Sequence, residues 1–132
     1  MAQPSVFEVS TEQYITATHY IASSVADVQF FTAPVKCTVV EVREVHAVAG
    51  SDGSAVTATI RRCQGTEAAT AGDDLLSASI NLKGTALTEQ LPALTTTTAD
   101  LTLSAGDRLS LDVTGTTTAV AGVILTVLLK RA

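Results

Sequence analysis

The sequence predicts an all-β protein, a two-layer antiparallel β-sandwich and most simply a jelly roll of about eight strands. Three observations carry this. Apolar and polar residues alternate with a period of two, most plainly in Leu101-Thr-Leu-Ser-Ala-Gly-Asp-Arg-Leu-Ser-Leu-Asp-Val113, and that period gives a strand one apolar and one polar face. The eight glycines, at positions 50, 53, 65, 72, 84, 106, 115 and 122, fall between the alternating segments or at their margins. Apart from one ambiguous segment near the amino terminus, no stretch joins strong helix formers to a 3.6-residue apolar stripe.

Taken in order, residues 1–12 carry no periodicity and read as a candidate flexible arm. From Ser10 to Ala26, Tyr14, Thr18, Ile21 and Val25 fall at helical spacing, but Ile15, Thr16, Thr18 and Ile21 within Gln13 to Ser23, the span of the candidate strand, are β-branched. Propensity favours a strand, with a short helix as the alternative. Asp27 to Val48 reads as two strands divided at Pro34, because proline cannot donate to a ladder, and the longer runs from Cys37 to Val48. Gly50-Ser-Asp-Gly53 is a turn, after which Val56, Ala58 and Ile60 alternate with threonine and arginine. A loop from Cys63 to Asp74 leads to a strand marked by Leu76, Ala78, Ile80 and Leu82. Pro92 and Thr95 to Thr98 fill a second long connection, part of which has the propensity to pair at a sheet edge. The segment 101–113 reads as a β-hairpin reversing at Ala105-Gly106-Asp107, since glycine takes positive φ without a Cβ clash. The last strand runs from about Gly122 to Leu129.

Bulk properties exclude several functions. With 132 residues the chain forms one domain, 1–132. A net charge of -5 and a pI near 4.8 oppose a general grip on nucleic acid, which needs clustered Lys and Arg. The amino terminus shows no basic start followed by an apolar run, and the most apolar segment, Ala119 to Leu129, is about half the length of a spanning helix. These features imply no nucleic-acid and no membrane partner. Cys37 and Cys63 lack zinc spacing and read as buried, reduced thiols. His19 and His46 read as structural strand residues, and Asp73, Asp74 and Asp107 as turn carboxylates outside the calcium-loop pattern. The expectation is no enzyme, no metal and no cofactor.

The last strand is anomalous. Val123, Leu125, Val127 and Leu129 lie on one face while Ile124 and Leu128 lie on the other, so both faces are apolar. Such a strand is buried either at a subunit interface, with Ile124 and Leu128 as the candidate oligomer-interface residues, or beneath a loop of its own chain. The strand from Cys37 shows a milder version, with Val39 opposite Val40 and Val42.

The segments Phe30 to His46, Ala49 to Ala55, Ala99 to Gly115 and Gly122 to Lys130 together resemble small structural proteins of tailed bacteriophages, in particular head decoration or cement proteins. The resemblance spans about Phe30 to Lys130 and rests on fold-bearing motifs such as Leu-x-Ala-Gly-Asp before an alternating strand. It implies a jelly-roll subunit on the outer surface of the head, assembled in the host cytoplasm. The implied partners are the major capsid protein and further copies of the chain, with a trimer favoured. The competing reading is a receptor- or carbohydrate-binding module of a phage tail or fibre. Sugar sites usually stack aromatic rings on the ligand, and here Trp is absent and the aromatics are few.

Overall fold

The computed structural model describes residues 13–132; the expected arm at 1–12 lies outside the described residues. Nine strands follow in order: β1 Tyr14–Ile21, β2 Val28–Thr32, β3 Cys37–Val48, β4 Thr57–Cys63, β5 Asp73–Asp74, β6 Ile80–Asn81, β7 Thr102–Leu103, β8 Arg108–Thr114 and β9 Ala121–Arg131. One sheet has the order β1-β9-β3-β7. The other has β2-β8-β4-β5, with β6 also pairing β4. Every named pairing is antiparallel. The chain alternates between sheets except at β4 to β6. Taking β5 and β6 as one interrupted position gives the eight-position double Greek key of a jelly roll, the architecture expected from about eight short strands with two long connections.

The ambiguous segment after Gln13 is a strand, and β3 has the bounds its sequence implies. Two expectations need correction. Residues 101–113 do not form a hairpin: β7 pairs β3 in the first sheet, whereas β8 pairs β2 and β4 in the second. The turn itself is real. Gly106 has φ 93°, its N–H donates to the Ala33 carbonyl at 2.8 Å, and the Asp107 carboxylate accepts from the Ser104 N–H at 2.9 Å. Alternation and a turn state that the chain reverses but not which strand lies beside it, and here the reversal carries the chain from one sheet to the other. The segment Leu76–Leu82 is also not one strand. Leu75 and Leu76 are buried in succession, residues 77–79 swing outward, and Ile80 and Leu82 return to the core, so the period of two breaks after β5.

The core lies between the sheets. Val123, Leu125, Val127 and Leu129 of β9 are at most 1% exposed and face Leu109, Leu111 and Ile60 from the other layer. β3 owes its two apolar faces to a register irregularity between Val39 and Glu41. This bulge shifts the phase of the pleat, so Cys37, Val39 and Val42 all point inward while Val40 is 41% exposed. Alternation alone would set Cys37 and Val42 on opposite faces.

Replacing Gly106 by Val should lower stability by about 1–3 kcal/mol, the usual range for a non-glycine residue held at positive φ. A Cβ there meets nothing within 4 Å, so the loss reports backbone conformation alone. Thermal melting of both proteins measures it, and equal midpoints would show that the positive φ is not required.

Candidate interaction surface

The two sheets present unlike outer faces to their surroundings. On β8 and β4 the outward groups are polar and already engaged: Arg61 meets Asp112 at 2.7 Å and the Gly72 carbonyl at 3.0 Å, Thr59 bonds Asp74, and Arg108 reaches Gln29 and the Glu67 carbonyl. The loop after β4 closes over this face. Ser110 donates to the Ala69 carbonyl at 2.7 Å and is fully buried although it points outward. Gly72 permits the close approach, because a Cβ there would run into the backbone of Arg62.

The outer face of the sheet built on β9 has no such lid among the described residues. Its rows cross three strands. Tyr20, Ile124 and Val45 form one, and Thr16, Leu128 and Glu41 form another, with Thr18, Thr126 and Arg43 between them. Ile124 is 42% exposed, so no described segment covers it, and Leu128 is partly buried. Tyr14 and Tyr20, at 55% and 60% exposed, extend the apolar surface at the β1 edge. Charge on this face comes from Arg43, which bonds Glu41 at 2.6 Å and Glu89 at 2.9 Å, and from Lys130, opposite Tyr14 in the register. The hydrogen bond from Arg43 holds the Glu41 carboxyl below its ordinary range. The predicted pair Ile124 and Leu128 thus sits in the middle of a threonine- and tyrosine-rich face. The contribution of β1 to that face escaped the sequence reading; its signal is the alternation Tyr14, Thr16, Thr18, Tyr20, which becomes visible once the segment is read as a strand.

The chemistry-bearing residues lie elsewhere and are enclosed. Glu44 and His46, two apart on β3, both point into the sandwich and are completely buried. His46 Nε2 lies 2.8 Å from the Gly84 carbonyl, which can only accept, so Nε2 carries a proton. Nδ1 lies 2.8 Å from Glu44 Oε2, and one proton on either atom satisfies that contact. Gln90 Nε2 donates to Glu44 Oε1 at 2.9 Å and to the Asn81 carbonyl at 2.8 Å. Backbone bonds from Gln90 to Glu44 and from Leu87 to His46, both 2.8 Å, complete the seam. This cluster fastens residues 81–90 to the edge of β3. Burial pushes the Glu44 carboxyl above its ordinary 4.5, opposed by its bonds to His46 and Gln90. The spacing Glu-x-His within a strand was the available signal, since it puts both side chains on one face.

His19, by contrast, stacks on Phe30 with centroids 5.5 Å apart. Cys37 faces the core and Cys63 lies on the far side of the other sheet beneath the loop, where its thiol meets the Ser110 hydroxyl. Stacked sheets stand about 10 Å apart, beyond the Cα reach of a disulfide. Burial, and secondarily the charge of Asp107, pushes the Cys37 thiol upward. Among the described residues no group of three His, Cys, Asp or Glu is placed to hold a metal ion, and no helix is long and apolar enough to cross a membrane. A depression of about 190 Å³ between β1 and β2, lined by His19, Ile21, Ser24, Ala26, Asp27 and Val28, is small beside the roughly 300–1,000 Å³ of ligand pockets.

No protein-family model and no curated protein matches the chain. Solved structures do. A chain in the capsid of Ralstonia phage GP4 superposes with a TM-score of 0.66 at 12% identity, covering 91% of this chain and 83% of that one. A chain of the cyanophage Pam1 capsid asymmetric unit gives 0.52 at 11% identity, covering 92% and 86%. The superpositions establish a shared fold across nearly the whole domain, and at identities this low they establish the fold alone.

Two measurements follow from this geometry. The proton on Glu44 is held more tightly in the folded than in the unfolded chain. Its contribution to stability is therefore fully present below pH 4.5 and fades as pH rises through the higher folded value. Glu44→Gln keeps the hydrogen bonds without the titration, so it should gain on the wild type as pH rises from 4.5 through the folded value in denaturant titrations; curves parallel across that span would contradict the assignment. Mass spectrometry of the native chain without reductant should give the full dithiol mass, and a loss of two hydrogens would contradict the placement of the cysteines.

Proposed function

We propose that this chain is a capsid decoration protein of a tailed bacteriophage, which binds the outer surface of the head and stiffens the junctions between major capsid subunits. The likeness of its whole fold to chains within two phage capsids carries the reading. Coverage is high in both directions, so the matched chains are close to this one in length. A domain this small, with one outer face sealed by its own loop and the other open, suits an accessory subunit that adheres through the open face. Function on this reading is adhesion without a reaction. Weak contacts suffice because many copies bridge sites that the shell already holds close together. The same face would serve a homo-oligomer, for which a trimer is the favoured state, with Ile124 and Leu128 at the contact.

The competing reading, a receptor- or sugar-binding module of a tail or fibre, has less support. The exposed aromatic rings among the described residues, Tyr14 and Tyr20, stand on a sheet face and do not line the depression between β1 and β2. Cryo-electron microscopy of virions encoding this chain distinguishes the two. Density for the jelly roll on the outside of the head supports decoration, and density in the tail, or as the shell itself, overturns it.

The double substitution Ile124→Thr with Leu128→Thr preserves strand propensity and removes apolar surface that is already partly covered. Its burial is worth about 1–2 kcal/mol per chain, less than the full value for two large side chains. The variant should keep its far-ultraviolet spectrum while its binding to purified heads weakens by roughly 5- to 30-fold. Equal binding by parent and variant would remove these two residues from the contact.

A further inference from the structure

Each sheet ends in an exposed edge, and proteins normally blunt such edges because unpaired N–H and C=O groups template pairing with another chain. Three of the edges here are blunted. β5 and β7 are two residues long, and β2 is five residues long with a register irregularity between Gln29 and Phe31. β1 is the exception. It runs for eight residues, Tyr-Ile-Thr-Ala-Thr-His-Tyr-Ile, with no Lys, Arg, Asp, Glu, Pro or Gly and an unbroken register with β9. No described strand lies on its other side.

Hydrogen-bond alternation fixes which groups face that side. Arg131 N–H bonds the Gln13 carbonyl, and Ala132 N–H turns the other way, to Lys36. Odd-numbered residues of β9 therefore bond β1, through Ile15, Ala17, His19 and Ile21. The N–H and C=O groups of Tyr14, Thr16, Thr18 and Tyr20 point away from β9, toward the open edge. These four residues read the same in both directions about Ala17: tyrosine, threonine, alanine, threonine, tyrosine at positions 14, 16, 17, 18 and 20.

We propose that β1 pairs antiparallel with β1 of a second copy across a two-fold axis at Ala17, joining two sandwiches through one continuous sheet. In this register Tyr14 stands opposite Tyr20 of the second copy and Thr16 opposite Thr18, all on the outer face. Aromatic pairs and threonine pairs are favourable cross-strand neighbours. The four outward-facing residues are those that must exchange backbone bonds, so side-chain symmetry and hydrogen-bond parity select the same register. An unrelated segment would give no reason for the symmetry, which favours a second copy as the occupant of this edge. The contact is isologous, so it closes after two copies and can link three-fold clusters as readily as single chains.

Sedimentation of the full-length chain tests this independently of any capsid. Thr16→Lys with Thr18→Lys sets like charges opposite each other at exposed positions and should sediment at about half the parent's mass with an unchanged far-ultraviolet spectrum. Thr16→Lys with Thr18→Glu sets opposite charges face to face in this register alone and should sediment as the parent does. A parent that is a single copy, as when its own amino-terminal residues occupy the edge, overturns the proposal. So does a double-lysine variant that matches the parent in mass, or a lysine-glutamate variant that separates as the double-lysine variant does.

Discussion

The fold depends on a strand that arrives last. β9 lies between β1 and β3, and its inward residues Val123, Leu125, Val127 and Leu129 fill the centre of the core. Neither neighbour can complete its ladder on that side without it. Gln13 and Arg131 meet although 118 residues separate them in sequence, and the β3 to β9 pairing is also long-range. Such non-local pairing must offset a large loop-closure cost before it is rewarded, so a domain of this kind folds slowly beside a helical one of the same size. The sheet-switching turn at Gly106 belongs to the same constraint, because a hairpin there would leave β3 without its β7 neighbour and β2 and β4 without β8.

What the sequence made legible was the local half of this arrangement. β-Branched propensity tips β1 to a strand and Pro34 bounds β3, while period-two alternation locates β4, β8 and β9, because each buries one face and the side chains must obey the pleat. It does not name partners. Leu101 to Val113 alternates equally well in a hairpin or across two sheets, and only the competition for β2, β3 and β4 decides. The bulge after Val39 leaves no mark except two apolar faces, the same pattern that β9 shows for a different reason: β9 keeps its phase and exposes Ile124. One pattern thus has two physical causes, and burial separates them. The Glu44 and His46 pair was legible only as spacing, since its partners Gln90 and Gly84 come from a connection with no periodicity.

The two outer faces divide the work of staying folded and of meeting something else. On the sheet containing β8, the described side chains of Arg61, Arg108 and Ser110 are engaged by neighbouring strands and by the loop after β4. On the sheet containing β9, the groups are mostly hydroxyl, aliphatic and aromatic, which lose little on desolvation compared with charges. The charged pair of Arg43 and Glu41 lies on β3 beside Glu89, and Lys130, opposite Tyr14, adds a charge at the far end of β9, so the outward positions from Thr16 to Tyr20 on β1 carry none.

The seam between Gln13 and Arg131 also has a mechanical meaning. The Arg131 N–H and guanidinium hold the Gln13 carbonyl and side chain at 2.8 and 2.9 Å, so these two points, one at the head of β1 and one at the tail of β9, leave the domain at the same corner. Tension applied through them would part the two strands as a zipper opens, loading one rung at a time. A pull between Gln13 and the opposite end of β9, near Gly122, would instead set every rung of the ladder in parallel and meet far greater resistance. The direction in which a load reaches this domain, more than the total strength of its bonds, therefore governs the force at which it yields.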